Sequence, residues 1–386
     1  MIFSLQFETL TLRDLSGLGN PQPPAVTVLV PGSSQGSVAK PIASRLKFAV
    51  DQVTYSLDQL ALPHRDLAIL TTPILSLSHE PALRENRRRG LAIFVDRQGF
   101  HFFDAPGEVV ETVVVSNHFY VKPLLAALLE PRQFFILELG PAKVRLIEAD
   151  GENMRERPLP RTVPESLDQI SSPEFEDHTR ISRYHRSRNR EKAQVISFGL
   201  TSANEQRRMQ FFCTLLDRGL SSFLQERGLP LVLAGGDRIV EAYHRVNSYH
   251  ETVDGALHGD IDYLSHDEII ERARMLIKTD LTRRGLETLA EFQQSAPGDR
   301  WTDQIDEVVA AAAQGRVWKL FLAEGAHSEG DCSSVIPTSE RKLLPIPEDL
   351  VNAAAAEAIA SGADIYVLPP ALLPAPAVAI YRYSLM

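Results

Sequence analysis

The sequence predicts a three-domain α/β protein, on three observations. Apolar runs of strand length alternate with helical periods over most of the chain, as sheets covered by helices require. The stretch at 229–246, LPLVLAGGDRIVEAYHRV, condenses that pattern: an apolar run from Leu231 to Ala234, the pair Gly235-Gly236, then Ile239, Val240 and Tyr243 on one helical face. The length, 386 residues, holds two or three domains at roughly 150 residues each. The pattern places boundaries near 128 and 262.

Composition narrows the class. Hydrophobic residues make up 44% of the chain, enough for several cores. A net charge of −10 argues against a surface coated in nucleic acid, while leaving room for a local basic patch. No apolar run reaches the length of a bilayer span, and the start, MIFSLQFETL, lacks a basic region followed by an apolar one. A cytoplasmic protein with no membrane partner is therefore expected. Cys213 and Cys332 have no metal-type spacing and read as reduced, buried thiols.

In chain order, Ala25–Val30 reads as a buried strand ending in the loop PGSSQGS, and Pro41 suits a helix start. Ile42, Leu46, Ala49, Val50, Val53 and Leu57 carry the helical period that follows. Leu67–Leu70 reads as a second strand. Leu91–Val95 and Phe100–Phe103 flank DRQG as a hairpin, and Val109–Val115 is a β-branched strand. The segment to Leu129 is a connector. A second hairpin, Phe134–Leu139 and Val144–Glu148, opens the next domain. From Asp150 to Lys192 periodicity fails, which predicts a long loop insertion. Gln194–Phe198 returns to a strand, and Glu205–Glu226 is a helix with Leu216, Leu220, Phe223 and Leu224 on one stripe, capped by Gly228. Asp237 is expected to cap the helix after Gly235-Gly236.

His250–Tyr263 reads as an acidic link. Ser265–Glu268 is a capping box opening a helix to about Phe292, and Trp301-Thr302 starts another that ends at Gly315. Val317–Ala323 is a strand and 324–339 a loop. Leu350–Ala360 is an alanine-rich helix stopped by Gly362. Asp364–Leu368 and Ala377–Tyr381 are strands around PPALLPAP.

Four stretches carry candidate chemistry. The helix start at Gly235-Gly236-Asp237 could hold an anion on its free N–H groups, or could simply be a tight turn and a cap. Gly32-Ser33-Ser34-Gln35-Gly36 matches the G-x-S-x-G of a hydrolase elbow, with Ser34 as nucleophile. However, Ser37–Lys40 intervene where an elbow passes straight into its helix. His250, His258 and His266, with Asp254, Asp260, Asp262 and Asp267, offer metal-type ligands, but their spacing in a Gly-bearing link does not force them together. The run 178–192, HTRISRYHRSRNREK, sets six positive charges (Arg180, Arg183, Arg186, Arg188, Arg190, Lys192) against Glu191 alone, a net of +5. Arginines suit phosphate, and Tyr184 suits stacking on an unpaired base. Equally, the run could be a solvated arm balanced by Glu165, Asp168, Glu174, Glu176 and Asp177. The smaller basic run Arg84–Arg89 reads as a soluble loop. No catalytic residue, metal ligand or cofactor is assigned.

Several stretches, in order, carry a likeness. They are VTVLVPGSSQGSVAKPIASRLKFAVDQ, GLAIFVDRQGFHFFDAP, HFYVKPLLAALL, QFFILELGPAKVRLIEAD, LPLVLAGGD, AAAAQGRVWKLFLAEG and SGADIYVLPPALLPAPAVAIYRY. With these the chain resembles the bacterial branch of the archaeo-eukaryotic peptide release factor and Pelota superfamily. The resemblance implies an N-terminal α/β domain (1–128), a central RNase H-like domain (129–261) carrying the insertion 150–192, and an L7Ae-like C-terminal domain (262–386). It implies work on the ribosome, with rRNA or tRNA as ligand and a translational GTPase as partner. Release factors of the superfamily hydrolyse peptidyl-tRNA with a Gly-Gly-Gln loop and read stop codons with Asn-Ile-Lys-Ser. Neither motif occurs here. The Pelota-like role, rescue or idle-ribosome binding without release chemistry, is the expectation. RNA-binding candidates are Arg180, Arg183, Tyr184, Arg186, Arg188, Arg190 and Lys192. The competing expectations are a hydrolase or nuclease, using Ser34 or the carboxylates of the 250–267 link, and an interaction adaptor docking through PPALLPAP.

Overall fold

β-Branched and aromatic runs set the first sheet. A computed structural model describes residues 7–32, 41–60, 64–80, 83, 89–140, 142–151, 153–171, 202–295, 300–336 and 343–383. Helix α1 (Leu12–Leu18) opens with a Thr11–Asp14 capping box. Strand β1 (Ala25–Val30) follows, then α2 (Ile42–Gln59), α3 (His64–Leu77), β2 (Leu91–Val95), β3 (Phe100–Asp104), β4 (Thr112–Ser116) and α4 (Lys122–Leu129). The strands form an antiparallel sheet ordered β3-β2-β1-β4. Both faces of β1 and β2 are buried. One face (Val26, Val28, Val30, Ile93) packs on Leu46, Val53 and Leu57 of α2 and on Leu70 and Ile74 of α3. The DRQG turn holds because the Asp96 carboxylate accepts from the Gln98 and Gly99 amides at 2.8 Å each.

The chain then builds β5 (Gln133–Leu139), β6 (Val144–Asp150), β7 (Asn153–Arg157), α5 (Ser202–Arg227), β8 (Leu231–Gly235), α6 (Asp237–His244), β9 (Thr252–His258) and α7 (His266–Ser295). The sheet runs β7-β6-β5-β8-β9: the hairpin strands are antiparallel, while β5, β8 and β9 are parallel. Helices α5 and α6 cover one face through Phe212, Leu216, Leu220, Leu224, Ile239 and Tyr243. Ile269, Ile270, Ala273 and Ile277 of α7 cover the other.

The last segment adds β10 (Trp301–Thr302), α8 (Ile305–Ala313), β11 (Val317–Ala323), β12 (Glu329–Gly330), α9 (Cys332–Val335), β13 (Glu348–Asp349), α10 (Leu350–Ala360), β14 (Asp364–Leu368) and β15 (Ala377–Tyr381). Its main sheet is β10-β15-β11-β14, with β11 and β14 parallel. The described residues group into two compact units: Met1–Glu130 with Thr282–Met386, and Pro131–Leu281. In the first, one apolar cluster is shared by both ends of the chain. Ala25, Leu29, Phe94, Phe119, Leu124 and Leu125 meet Val308, Val309, Leu320, Val351, Ala354 and Ala358. Alanine-rich α10 is buried along almost its whole length. Its small side chains admit neighbours on all sides.

Several sequence expectations are corrected. Leu67–Leu70 is helix, not strand. Leu70, Ile74 and Leu77, at helical spacing, are its buried residues, and so short an apolar run carries no period of its own. Residues 153–157, expected within a loop insertion, form β7 on the edge of the sheet. The 250–263 link contains β9, whose Val253, Ala256 and Leu257 are buried while its acidic and histidine residues face outward. Trp301-Thr302 pairs with β15 instead of starting a helix. The cap of α6 is Gly236, not Asp237, and makes no side-chain cap bond. The Ser265–Glu268 box is as expected, with Glu268 N donating to Ser265 Oγ at 3.3 Å and Ser265 N to Glu268 Oε2 at 2.9 Å.

Gly235 ends β8 at φ +146°, where a Cβ would lie 2.4 Å from the Leu139 carbonyl oxygen of the neighbouring strand. At Gly236 nothing lies within 4 Å of a Cβ. Gly235→Ala is expected to cost about 2–4 kcal/mol, through both strain and collision. Gly236→Ala is expected to cost about 1 kcal/mol or less. Urea-unfolding midpoints of the two variants check the difference.

Candidate functional site

Among the described residues, two places bring chemistry-bearing side chains together. The first lies at the carboxyl ends of the parallel strands β5, β8 and β9, where α/β sheets commonly bind ligands. There the Asp237 carboxylate sits 2.7 Å from His258 Nδ1, with both side chains exposed. Such a pair contributes little to stability. Near the end of β5 and just after β9, ligand oxygens of Glu138, Asp260 and Asp262 lie within 4.8 Å of one another. This is a carboxylate group of the kind a metal-dependent nuclease needs. The position is already served by a cation. Arg145, opposite Glu138 in the β5–β6 register, bonds both Glu138 and Asp262. These bonds raise the guanidinium's already high pKa. Of the sequence candidates, Asp260 and Asp262 therefore converge with Glu138, which the sequence did not single out. His250, Asp254, His266 and Asp267 do not join that group.

The second place is buried, within the unit formed by the two ends of the chain. Strand β4 stops at Ser116, whose hydroxyl donates to the His118 carbonyl at 2.6 Å and turns the chain. That turn points Asn117 and His118 at β13 and α10. Asn117 Nδ2 donates to Glu348 Oε1 at 2.8 Å and to the Leu344 carbonyl at 3.0 Å, while its Oδ1 accepts from Leu344 N at 2.7 Å. His118, with no exposed surface, lies between two carboxylates: Nδ1 is 2.8 Å from Glu348 Oε2 and Nε2 is 3.0 Å from Glu357 Oε1. The Cys332 thiol also bonds Glu348. Alongside, Asn352 accepts from the Val121 and Lys122 amides at 2.8 and 3.0 Å and donates to the Phe119 carbonyl at 3.0 Å. Lys122 reaches Asp349, which also lies 3.1 Å from His327 Nδ1.

Electrostatics follow from this packing. Burial opposes a charged His118, but the hydrogen bonds and charges of Glu348 and Glu357 outweigh it and raise the imidazole to about 9. Burial would raise Glu348, yet bonds from His118, Asn117 and Cys332 hold it below the ordinary carboxylate value. Burial, then the charge and bond of Glu348, push the Cys332 thiol up. Sequence reasoning missed this cluster. One available signal was a glutamate inside the otherwise apolar AAAAEAIA, since a buried carboxylate requires a partner.

The other sequence candidates fall elsewhere. Arg180, Arg183, Tyr184, Arg186, Arg188, Arg190 and Lys192 lie outside the described residues, as do Ser34 and Arg84–Arg88. Cys213 and Cys332 are both free and buried, as expected. Among the described residues no helix is long and apolar enough to cross a membrane.

His118→Ala leaves Glu348 and Glu357 buried without their shared cation, and is expected to destabilise the chain by about 3–5 kcal/mol near neutral pH. The histidine pKa is raised on folding, from 6.5 to about 9, so its contribution is full below the lower value and disappears as pH rises through the upper one. Thermal unfolding in chelator-containing buffer should show the gap between wild type and His118→Ala narrowing from pH 6.5 to above 9. A gap independent of pH would show that the ring is not charged in the folded chain.

Comparison with known proteins adds a family match over part of the chain. Residues 133–316 match the model of bacterial archaeo-eukaryotic release factor family 3. No curated protein matches the chain. Among solved structures, an archaeal translation termination factor aRF1 is 15% identical, over 97% of this chain and 99% of that one, with a TM-score of 0.26. Archaeoglobus fulgidus Pelota is 11% identical over 98% and 94%, with a TM-score of 0.29. Saccharomyces cerevisiae Dom34, described as a translation termination-like factor interacting with Hbs1, is 12% identical over 77% and 80%, with a TM-score of 0.32. Scores this low carry no weight for the arrangement of this chain. The match spans the central sheet and runs into the last segment, and over those residues the chain is similar to the bacterial branch of the archaeo-eukaryotic release factors.

Proposed function

We propose that the chain is a ribosome-associated translation factor of Pelota type, acting in rescue or on idle ribosomes without Gly-Gly-Gln hydrolysis. The observation that carries this reading is the family match over residues 133–316, in a sequence that contains no Gly-Gly-Gln. The three-domain division at 128 and 261 belongs to the proposal. The order β7-β6-β5-β8-β9, an antiparallel hairpin edge joined to parallel strands, supports an RNase H-like centre. The C-terminal segment is proposed as L7Ae-like. The basic run 178–192, net +5 within a chain of −10, is the proposed RNA contact, with Arg180, Arg183, Arg186, Arg188, Arg190 and Lys192 on phosphates and Tyr184 stacking on a base. The partner class is rRNA or tRNA on the ribosome, with a translational GTPase alongside.

Co-sedimentation with purified bacterial ribosomes across a salt series tests the reading. Association is expected to weaken steeply with salt, because each phosphate contact releases counterions. The triple variant Arg183→Glu, Arg186→Glu, Arg188→Glu is expected to flatten the log–log salt slope by about 2–3, close to one per lost contact. No association of wild type with vacant or stalled ribosomes at low salt would overturn the proposal. An unchanged slope in the variant would remove the role given to the run.

A further inference from the structure

We propose that His118, Cys332 and Glu348 form a binding site for a divalent transition-metal ion of the zinc class. Their ligand atoms lie within 4.8 Å of one another, and all three residues are buried. A thiolate, an imidazole and a carboxylate together select zinc over magnesium or calcium, which take oxygen ligands.

A second observation points the same way. The residues around the three are those that orient metal ligands. Glu357 Oε1, on the far edge of the ring, receives His118 Nε2 at 3.0 Å. Metal binding would release the proton that Nδ1 shares with Glu348 Oε2 at 2.8 Å, and Nδ1 then becomes the ligand atom in the carboxylate–histidine–metal relay. Asn117 Nδ2 fixes Glu348 Oε1 at 2.8 Å, so that Oε2 is the oxygen turned toward the ring. Asn117 is itself held by both backbone groups of Leu344. Asp331, capping α9, sets Cys332 at the start of that helix.

The ligands come from distant parts of the sequence. His118 follows β4, Cys332 begins α9 and Glu348 begins β13. An ion there ties the N-terminal segment to the C-terminal one, and its binding energy becomes folding energy. Among the described residues the other metal-type group, Glu138, Asp260 and Asp262, is exposed at two of three positions and bridged by Arg145.

The test is titration of the chelator-stripped full chain with Co2+. One equivalent should bind and give a thiolate-to-cobalt charge-transfer band that Zn2+ abolishes. Only two cysteines exist, so Cys213→Ala identifies the thiol without disturbing the site: the band must survive in it. Cys332→Ala must lose the band. Glu357→Gln, which keeps the ligands but weakens the relay, should lower metal affinity by about 10–100-fold. Absence of a charge-transfer band in wild type, or its loss in Cys213→Ala, would overturn the site.

Discussion

The unit built from the two ends of the chain depends on one buried contact, an imidazole held between two carboxylates. His118 follows the first sheet; Glu348 and Glu357 belong to the last segment. Each is nearly inaccessible, so any one of them alone would carry a large desolvation cost. Together they are tolerable only in this geometry, and geometry is what they provide. Apolar packing between Phe94, Phe119 and the alanines of α10 is permissive about register. Hydrogen bonds from His118, Asn117 and Asn352 are not. The polar seam therefore selects one docking of the two segments among the many that the apolar surfaces would allow.

How much of this was legible depended on how local the cause was. Helix α2 was readable because Ile42, Leu46, Ala49, Val53 and Leu57 repeat over four turns and all are buried. The Ser265–Glu268 box and the Gly228, Gly315 and Gly362 stops were readable because a cap is decided by its neighbours. The three glycines stand at φ +62°, +66° and +70°. Helix α3 was not, since Leu67–Leu70 is too short to show a period and Pro73 interrupts the pattern that continues it. Strand β9 was hidden by its outward acidic residues. The buried cluster was illegible for a different reason: Asn117 and Glu348 are separated by 231 positions, and no local pattern marks either.

The central sheet shows why convergence of side chains is not the same as a site. Glu138, Asp260 and Asp262 come together where parallel strands end, the place at which α/β sheets hold ligands. Arg145 nevertheless projects from the adjacent antiparallel strand into the same group and supplies its positive charge. A divalent ion there would have to coexist with a guanidinium or displace it. The nuclease expectation raised by the carboxylates of the 250–267 link thus meets a physical obstacle that composition could not reveal, because Arg145 lies more than a hundred residues before Asp262.

The two proposals draw on different physical forces. Ribosome binding draws on the charge of the 178–192 run, and its signature is sensitivity to salt. The metal site draws on side chains that water does not reach, so ionic strength should scarcely move it. Its ion would act on the chain itself, fixing the seam that joins α4 and α10. If the proposed work on the ribosome requires the N- and C-terminal segments to act as one body, the seam is where that rigidity originates. Loss of His118 or Cys332 would then weaken ribosome association without changing its salt slope, whereas loss of the arginines would change the slope and leave stability intact. The two effects separate in one co-sedimentation series, because counterion release counts phosphate contacts and is indifferent to how firmly the rest of the protein is held.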